Sequence, residues 1–428
     1  MGTKIAVVGG GSTYTPELVQ GFATRTDRLP VEELVLLDVD RERLEVVGGL
    51  AGRMLDRAGW GGRLKLTGRR EEALDGADFV VVQLRVGGQA MRLADETLPL
   101  EFGCVGQETT GPGGFAKALR TVPVVLELAE ETARRAAPGA WFVDFTNPVG
   151  IVTQALLDHG HRAIGLCNSA IGFQRRFAAH FGVAPEQVEL EHVGLNHLTW
   201  ERAVRVDGVD RLPELLEEQA AEEIAADVGL PAALLRALRA VPSHYLRYYY
   251  ATSRVLGEQR RRPSRAEQVM AIERELLELY RDPALDEKPA LLERRGGAFY
   301  SEAAAALIAS LHAGTGDVQV VDVRNDGALP GLPDDAVVEV PARVDAGGAR
   351  PLPLAPLAPE LLGLVQQAKA YERLAVQAAV SGDRTVALKA LLANPLVRDY
   401  DVAAPLLDAL LAANRAHLPR FFGRDGGR

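Results

Sequence analysis

Cysteine is nearly absent: Cys104 and Cys167 are the only two in 428 residues. Two thiols cannot build a disulfide framework, so a reducing, cytoplasmic setting is expected, with cysteine used for chemistry or buried and inert. No apolar run approaches the roughly 20 residues that span a bilayer, although 47% of the residues are hydrophobic. Lys/Arg-rich blocks are missing and the net charge is −10, which argues against nucleic acid or an anionic membrane as partner. The N-terminus runs at once into a strand, so no signal peptide is expected. Internal repeats and long disordered linkers are also lacking, and only 345–358 is Gly/Pro/Ala-rich and loop-like. What remains is a soluble globular chain with length for two or three domains.

What is present begins with KIAVVGGGSTYTPEL, residues 4–18. Ile5, Val7 and Val8 give a strand-length apolar run that breaks on Gly9, Gly10 and Gly11. A helix start follows, with Thr15 placed to cap it and Pro16 suited to its first turn. Strand, glycine turn and helix together bring backbone N–H groups up to a pyrophosphate. Gly9 and Gly11 fit the first two positions of the dinucleotide fingerprint, but Tyr14 replaces the third glycine. Strand-like segments recur at 33–40, 77–88, 140–148 and 161–169, with helical stretches such as 116–137 and 151–159 between them. This alternation predicts an α/β chain whose residues 1–170 form a Rossmann-like, doubly wound parallel sheet. Residues 171–428 are β-like over 188–208 and 318–344 and otherwise rich in helix. They are expected to form a mixed α/β domain closing over the first.

Ligands of such sheets gather beyond the carboxyl ends of the strands. Gly9–Gly11, Asp38, Arg85, Asn147 and Cys167 all fall there, which reads as one composite site. Asp38 suits either the ribose hydroxyls of an adenosine or the cap of a helix beginning near Arg41, and the sequence leaves both open. GCVGQETTGPGGF (103–115) carries the polar cluster Gln107, Glu108, Thr109 and Thr110 between glycines. It is expected as a glycine-hinged functional loop over the cleft, with a mobile surface loop as the alternative. Cys167 and His197, each in a Gly–Leu unit, make a transition-metal pair possible. Two protein ligands would leave coordination positions for substrate oxygens, as a catalytic metal requires. HYLRYYY (244–250) packs four tyrosines. Such a cluster commonly builds core, yet a tyrosine becomes a general base where a cation or hydrogen bond lowers its pKa. Arg92 and Arg265 are candidates for a fork onto phosphate or sugar hydroxyls, and composition singles out neither.

The motifs GGGSTYTPEL (9–18), VGQETTGPGGF (105–115), TNPVG (146–150), GLCN (165–168), GLNH (194–197), YLRYY (245–249) and RAEQVM (265–270) occur in that order. Together they resemble glycoside hydrolase family 4, the NAD- and divalent-metal-dependent glycosidases acting largely on 6-phosphorylated sugars. The resemblance implies NAD on Gly9, Gly10, Gly11 and Ser12, with Asp38 on the ribose. It implies Mn²⁺ on Cys167 and His197, and the phosphosugar on Arg92, Asn147, Asn168 and Arg265. Tyr245 would be the base, and Glu108 the loop residue that raises its basicity. The implied reaction oxidises C3, removes the C2 proton, eliminates the C1 substituent, adds water and returns the hydride. Family members acting on α-linked substrates carry Asp directly after the metal-binding cysteine. Here Asn168 stands in that position, and an amide is no general acid. Thr110, where α-specific members often have Cys, agrees with a preference for 6-phospho-β-glucosides.

The substrate would be a phosphorylated disaccharide or aryl glycoside, and relatives suggest a homodimer or homotetramer whose contacts lie in 171–428 with the substrate and metal residues. Asp326, in RNDG where relatives often read RNNG, has no functional account from sequence. The rivals are a lactate/malate-type 2-hydroxy-acid dehydrogenase sharing the nucleotide domain and a non-catalytic NAD-responsive regulator.

Overall fold

The computed structural model describes residues 2–297 and 299–423. Six strands run parallel: β1 (Thr3–Val8), β2 (Val31–Leu37), β3 (Arg63–Thr67), β4 (Phe79–Val82), β5 (Trp141–Asp144) and β6 (Ala163–Gly165). Their spatial order is β3-β2-β1-β4-β5-β6. The order reverses beside β1, and a crevice opens there at the carboxyl ends. The strand-like segments at 33–40, 77–88, 140–148 and 161–169 are therefore β2, β4, β5 and β6. The edge strand β3 has no apolar run to announce it, because RLKLT alternates cations with leucine and lies half in water.

Alternation along β1 divides the core. Ile5 and Val7 pack into one buried cluster with the helix Thr15–Ala23, while Ala6 and Val8 pack into another with the helix Gly111–Arg135. Helices thus cover both faces, which is why the central runs IAVV of β1 and FVVV of β4 are apolar throughout. Thr15 is the first helical residue and Tyr14 occupies the cap position. The Thr15 hydroxyl instead accepts from Gln83 Nε2 at 2.9 Å.

The second half contributes to two sheets. β7 (Val188–Leu195), β8 (Leu198–Val206), β9 (Val209–Asp210) and β10 (Val241–Pro242) make a small antiparallel one. β11 (Asp317–Arg324), β12 (Val337–Asp345) and β13 (Gly348–Pro351) instead join the large sheet beyond β6, giving nine strands in all. Asp322 of β11 lies opposite Gly165 of β6 at that junction. The sheet begun by the first 170 residues is thus completed from beyond residue 316.

A buried polar chain connects the two sheets. Glu339 on β12 accepts from His192 Nε2 at 2.8 Å and from Asn196 Nδ2 at 2.6 Å. His192 Nδ1 faces Glu201 on β8 at 2.6 Å. Asp326 has a φ of +43°, in the left-handed region where Asn and Asp are tolerated better than most residues. That geometry explains why an Asx residue belongs there. Among the described residues, no helix is long and apolar enough to cross a membrane.

Candidate active site

A cleft of about 1040 Å³ opens at the β1/β4 crevice. Its floor is the glycine turn. Gly9 has a φ of +90°, and a Cβ there would stand 2.7 Å from the Gln83 carbonyl oxygen. The N–H groups of Gly9 and Gly10 both donate to the Leu37 carbonyl, at 2.9 and 2.8 Å, pinning the turn to the end of β2. Gly9, Gly11 and Ser12 line the cleft, whereas Gly10 packs against Leu36. Asp38 also lines it, and its carboxylate accepts from Gly11 N–H at 2.8 Å and Asp40 N–H at 3.0 Å. Asp38 does not cap the following helix; Asp40 does, accepting from Arg43 N–H at 3.1 Å. Tyr14, in place of the third glycine, donates its hydroxyl to the Gly297 carbonyl and meets Tyr300 edge-on at 6.0 Å.

The segment 103–115 forms the next wall. It is packed in place: a Cβ on Gly106 would lie 1.8 Å from the Glu96 carbonyl oxygen, and Glu108, Thr109 and Thr110 are all buried. The expected glycine hinge is thus a close-packing device, because neighbouring backbone leaves no room for side chains. Glu108 meets three cations. Arg85 forks onto it, Arg92 Nη2 lies 3.1 Å from Oε1, and Lys117 Nζ lies 2.7 Å from Oε2. Burial alone would raise this carboxyl, but Arg85, Lys117 and Arg92 outweigh it and hold the group well below the usual range. Burial pushes Lys117 down to about 7 despite Glu108.

Arg92 also donates to Glu96 at 2.8 Å. Arg265, the first residue of the helix Arg265–Tyr280, donates to the carbonyls of Arg294 and Arg295 at 2.8 and 3.1 Å. Both guanidiniums line the cleft. Asn147 lines it as well, and its Oδ1 is buried without a hydrogen-bond partner in the protein. Asn168 lines the cleft from the cap position of the helix Ser169–Phe181.

Cys167 and His197 sit just behind this wall, 4% and 3% exposed. Cys167 leaves the end of β6 with its Sγ 3.4 Å from the Ser169 hydroxyl, and burial raises the thiol. His197 lies at the tip of the β7–β8 hairpin with a φ of +63°. Its Nδ1 is 3.0 Å from Thr109 Oγ1. Burial, with His244 adding to it, pushes His197 down to about 3, so the imidazole is neutral and able to ligate a metal. Tyr245, in the short helix His244–Leu246, stacks on His197 and lines the cleft. Burial raises its phenol well above the ordinary value, with Cys167, Tyr248 and Glu108 adding to the rise. Among the described residues no three His, Cys, Asp or Glu side chains converge as a complete metal cage.

Gly9, Gly11, Ser12, Asp38, Arg85, Arg92, Glu108, Asn147, Asn168, Tyr245 and Arg265 therefore line one cleft, with Cys167 and His197 buried next to Tyr245, whereas Gly10, Cys104, Thr110 and Asp326 are not part of its lining. Sequence reading missed Lys117, Arg295 and Glu273. Glu273 accepts from Thr13, Gln89 and Arg295 at 3.2, 3.0 and 3.0 Å along the wall beside the glycine turn. The available signal was a charged residue on the apolar face of a helix.

Comparison with known proteins agrees across both halves. The sequence model of the Family 4 glycosyl hydrolases matches residues 4–183, and that of the family's C-terminal domain matches 192–397. A probable 6-phospho-β-glucosidase of Bacillus subtilis is 44% identical over 437 aligned residues, covering 99% of each chain. A 6-phospho-β-glucosidase of Escherichia coli is 37% identical, covering 98% of this chain and 96% of the relative. The structure of the Thermotoga maritima 6-phospho-β-glucosidase with manganese, NAD⁺ and glucose-6-phosphate superposes with a TM-score of 0.90 at 36% identity, covering 97% of this chain and 99% of that one. The chain belongs to the Family 4 glycosyl hydrolases.

Proposed function

We propose that the chain hydrolyses 6-phospho-β-glucosides to glucose 6-phosphate and an aglycone, with NAD and a divalent metal such as Mn²⁺. The observation that carries this is the His197–Tyr245 stack, which sets a buried, neutral imidazole against a phenol that lines the cleft. The glycine cradle at Gly9–Gly11, too tight for side chains, fits NAD on Gly9–Ser12 with Asp38 at the ribose. A cysteine sulfur, as thiolate, and a neutral imidazole fit a divalent transition metal, and a two-ligand set leaves positions for sugar oxygens. When bound, the nucleotide supplies a reversible hydride acceptor and the metal a Lewis acid.

The chain's own groups do the rest. Tyr245 takes the C2 proton of the sugar through its Oη. Only the phenolate can accept that proton, so the phenol must first lose its own to solvent, and since burial disfavours the anion a positive charge beside it, such as the divalent metal, would have to stabilise it. Glu108 adds to the basicity of Tyr245 and keeps Arg85, Arg92 and Lys117 in place; with Arg92 shared with Glu96, the wall keeps a small positive excess suited to a phosphate. Arg92 and Arg265 hold the 6-phosphate, Arg265 from a position fixed by two carbonyls. The unpartnered Asn147 Oδ1 takes a sugar hydroxyl. Asn168 contacts the substrate and donates no proton to the leaving group, in keeping with β-linked substrates.

Family membership over both halves favours this reading over a 2-hydroxy-acid dehydrogenase. Phosphorylated disaccharides and aryl glycosides are the substrate types, with residues 1–170 as the nucleotide domain and 171–428 as the substrate, metal and oligomerisation domain, and with residues crossing the cleft: Arg92, Asn147, Cys167 and Asn168 come from the first, His197, Tyr245 and Arg265 from the second. A homodimer or homotetramer is the assembly, by analogy with relatives. Two free, buried cysteines are consistent with a reducing cytoplasm. The test incubates the protein with NAD⁺, Mn²⁺ and reductant and compares nitrophenol release from α and β, phosphorylated and unphosphorylated glucosides. Release from the phosphorylated β-glucoside with no net NADH is expected. Net NADH formation with a 2-hydroxy acid would favour the dehydrogenase.

A further inference from the structure

We infer that Thr109, fixed by Gln107, is the positioning residue that selects the tautomer of His197 and so turns its Nε2 lone pair toward the metal. This rests on the proposed metal role of His197. The argument starts at Gln107, whose Oε1 accepts from the backbone N–H groups of Thr109 and of Thr110, the latter at 2.8 Å. Two N–H donors at one side-chain atom identify it as the amide oxygen, since the amide nitrogen would meet them hydrogen to hydrogen. Thr109 Oγ1 lies 2.8 Å from that oxygen. Two oxygens so close need a proton between them, and an amide oxygen has none to give. The proton is therefore the hydroxyl's own.

Having donated to Gln107, the Thr109 oxygen has only lone pairs for the His197 Nδ1 at 3.0 Å. Nδ1 must carry the hydrogen, and in a neutral ring Nε2 is then the unprotonated nitrogen. The direction of the chain runs from His197 Nδ1–H to Thr109 and from Thr109 to Gln107, with no member free to reverse. Ring orientation is held from a second side by the stack on Tyr245. An outer hydrogen bond that fixes a ligating imidazole is commonly worth about 10- to 100-fold in metal affinity.

The test uses the full-length protein labelled with ¹⁵N-histidine, freed of metal, and reads ring tautomers by long-range ¹H–¹⁵N correlation. The His197 resonance is assigned by its loss in His197→Ala. Wild type and Thr109→Ser should show the Nδ1–H form, and Thr109→Val should lose that exclusive form. Free Mn²⁺ measured by electron paramagnetic resonance should show affinity weakened at least tenfold in Thr109→Val and restored in Thr109→Ser. An Nε2–H tautomer in wild type would overturn the inference, as would wild-type tautomer and affinity in Thr109→Val. Should Thr109→Val fail to fold, the wild-type tautomer still decides. Wild-type Mn²⁺ affinity in His197→Ala would overturn the metal reading instead.

Discussion

The imidazole of His197 lies almost flat on the phenol of Tyr245, with ring centroids 3.7 Å apart and planes 16° apart. A prospective metal ligand and a prospective base are thus held by one contact. Tyr245→Phe keeps the ring and removes only the hydroxyl. Turnover should fall by about 10²- to 10⁴-fold, with KM and NAD affinity little changed. Steady-state kinetics with an aryl 6-phospho-β-glucoside decides it, and unchanged turnover would move the base elsewhere.

Cys167 lies beyond β6, away from the Gly9–Ser12 turn. Cys167→Ser should therefore abolish Mn²⁺-dependent hydrolysis while NAD binding, followed by calorimetry, survives. Full activity in that variant would refute the metal role of the thiol.

Asn168 offers an amide where a leaving group would need an acid. Cleavage of an aryl 6-phospho-β-glucoside should outpace that of its α-anomer. Faster release from the α-linked compound would overturn the assignment.

The buried imidazole of His192 has a consequence for stability. Burial alone would lower it, but Glu201 and Glu339 outweigh that and push it up to about 10. Between its ordinary value near 6.5 and about 10, the folded state holds a proton that the unfolded state has lost. Its stabilisation is full below pH 6.5 and disappears as the pH rises through about 10. Glu339→Gln removes one of the two carboxylates, so its urea midpoint should decline less steeply across that range than the wild type's. Parallel declines would rule out His192 as the source.

Asp326 tests a local backbone requirement. With φ at +43°, Asp326→Ala should cost about 1 kcal/mol, while Asp326→Asn and Asp326→Gly should cost little. Equal urea unfolding curves for the alanine and asparagine variants would contradict this.

Much of the architecture was legible because buried parallel strands are apolar on both faces, as in IAVV and FVVV. β3 was not, since an edge strand keeps polar residues on its wet side. Nor could the sequence show that β11–β13 join the first sheet, because partner choice between distant strands is a tertiary matter. The composite site followed from motif order, whereas Lys117 looked like an ordinary helix lysine. Only packing reveals that it is buried against Glu108. Thr15 and Asp38 each looked like caps, but Tyr14 and Asp40 hold those positions. Helix ends are uncertain by a residue or two when read from sequence.

Cys167 belongs to the nine-stranded layer and His197 to the crown of a hairpin in the smaller one. An ion gripped by both is a rivet through two layers. A half-assembled molecule, with the first layer formed and the second undocked, would seat dinucleotide yet have no grip on manganese. Loading with the ion should then report completed assembly, and heating should release it before the nucleotide.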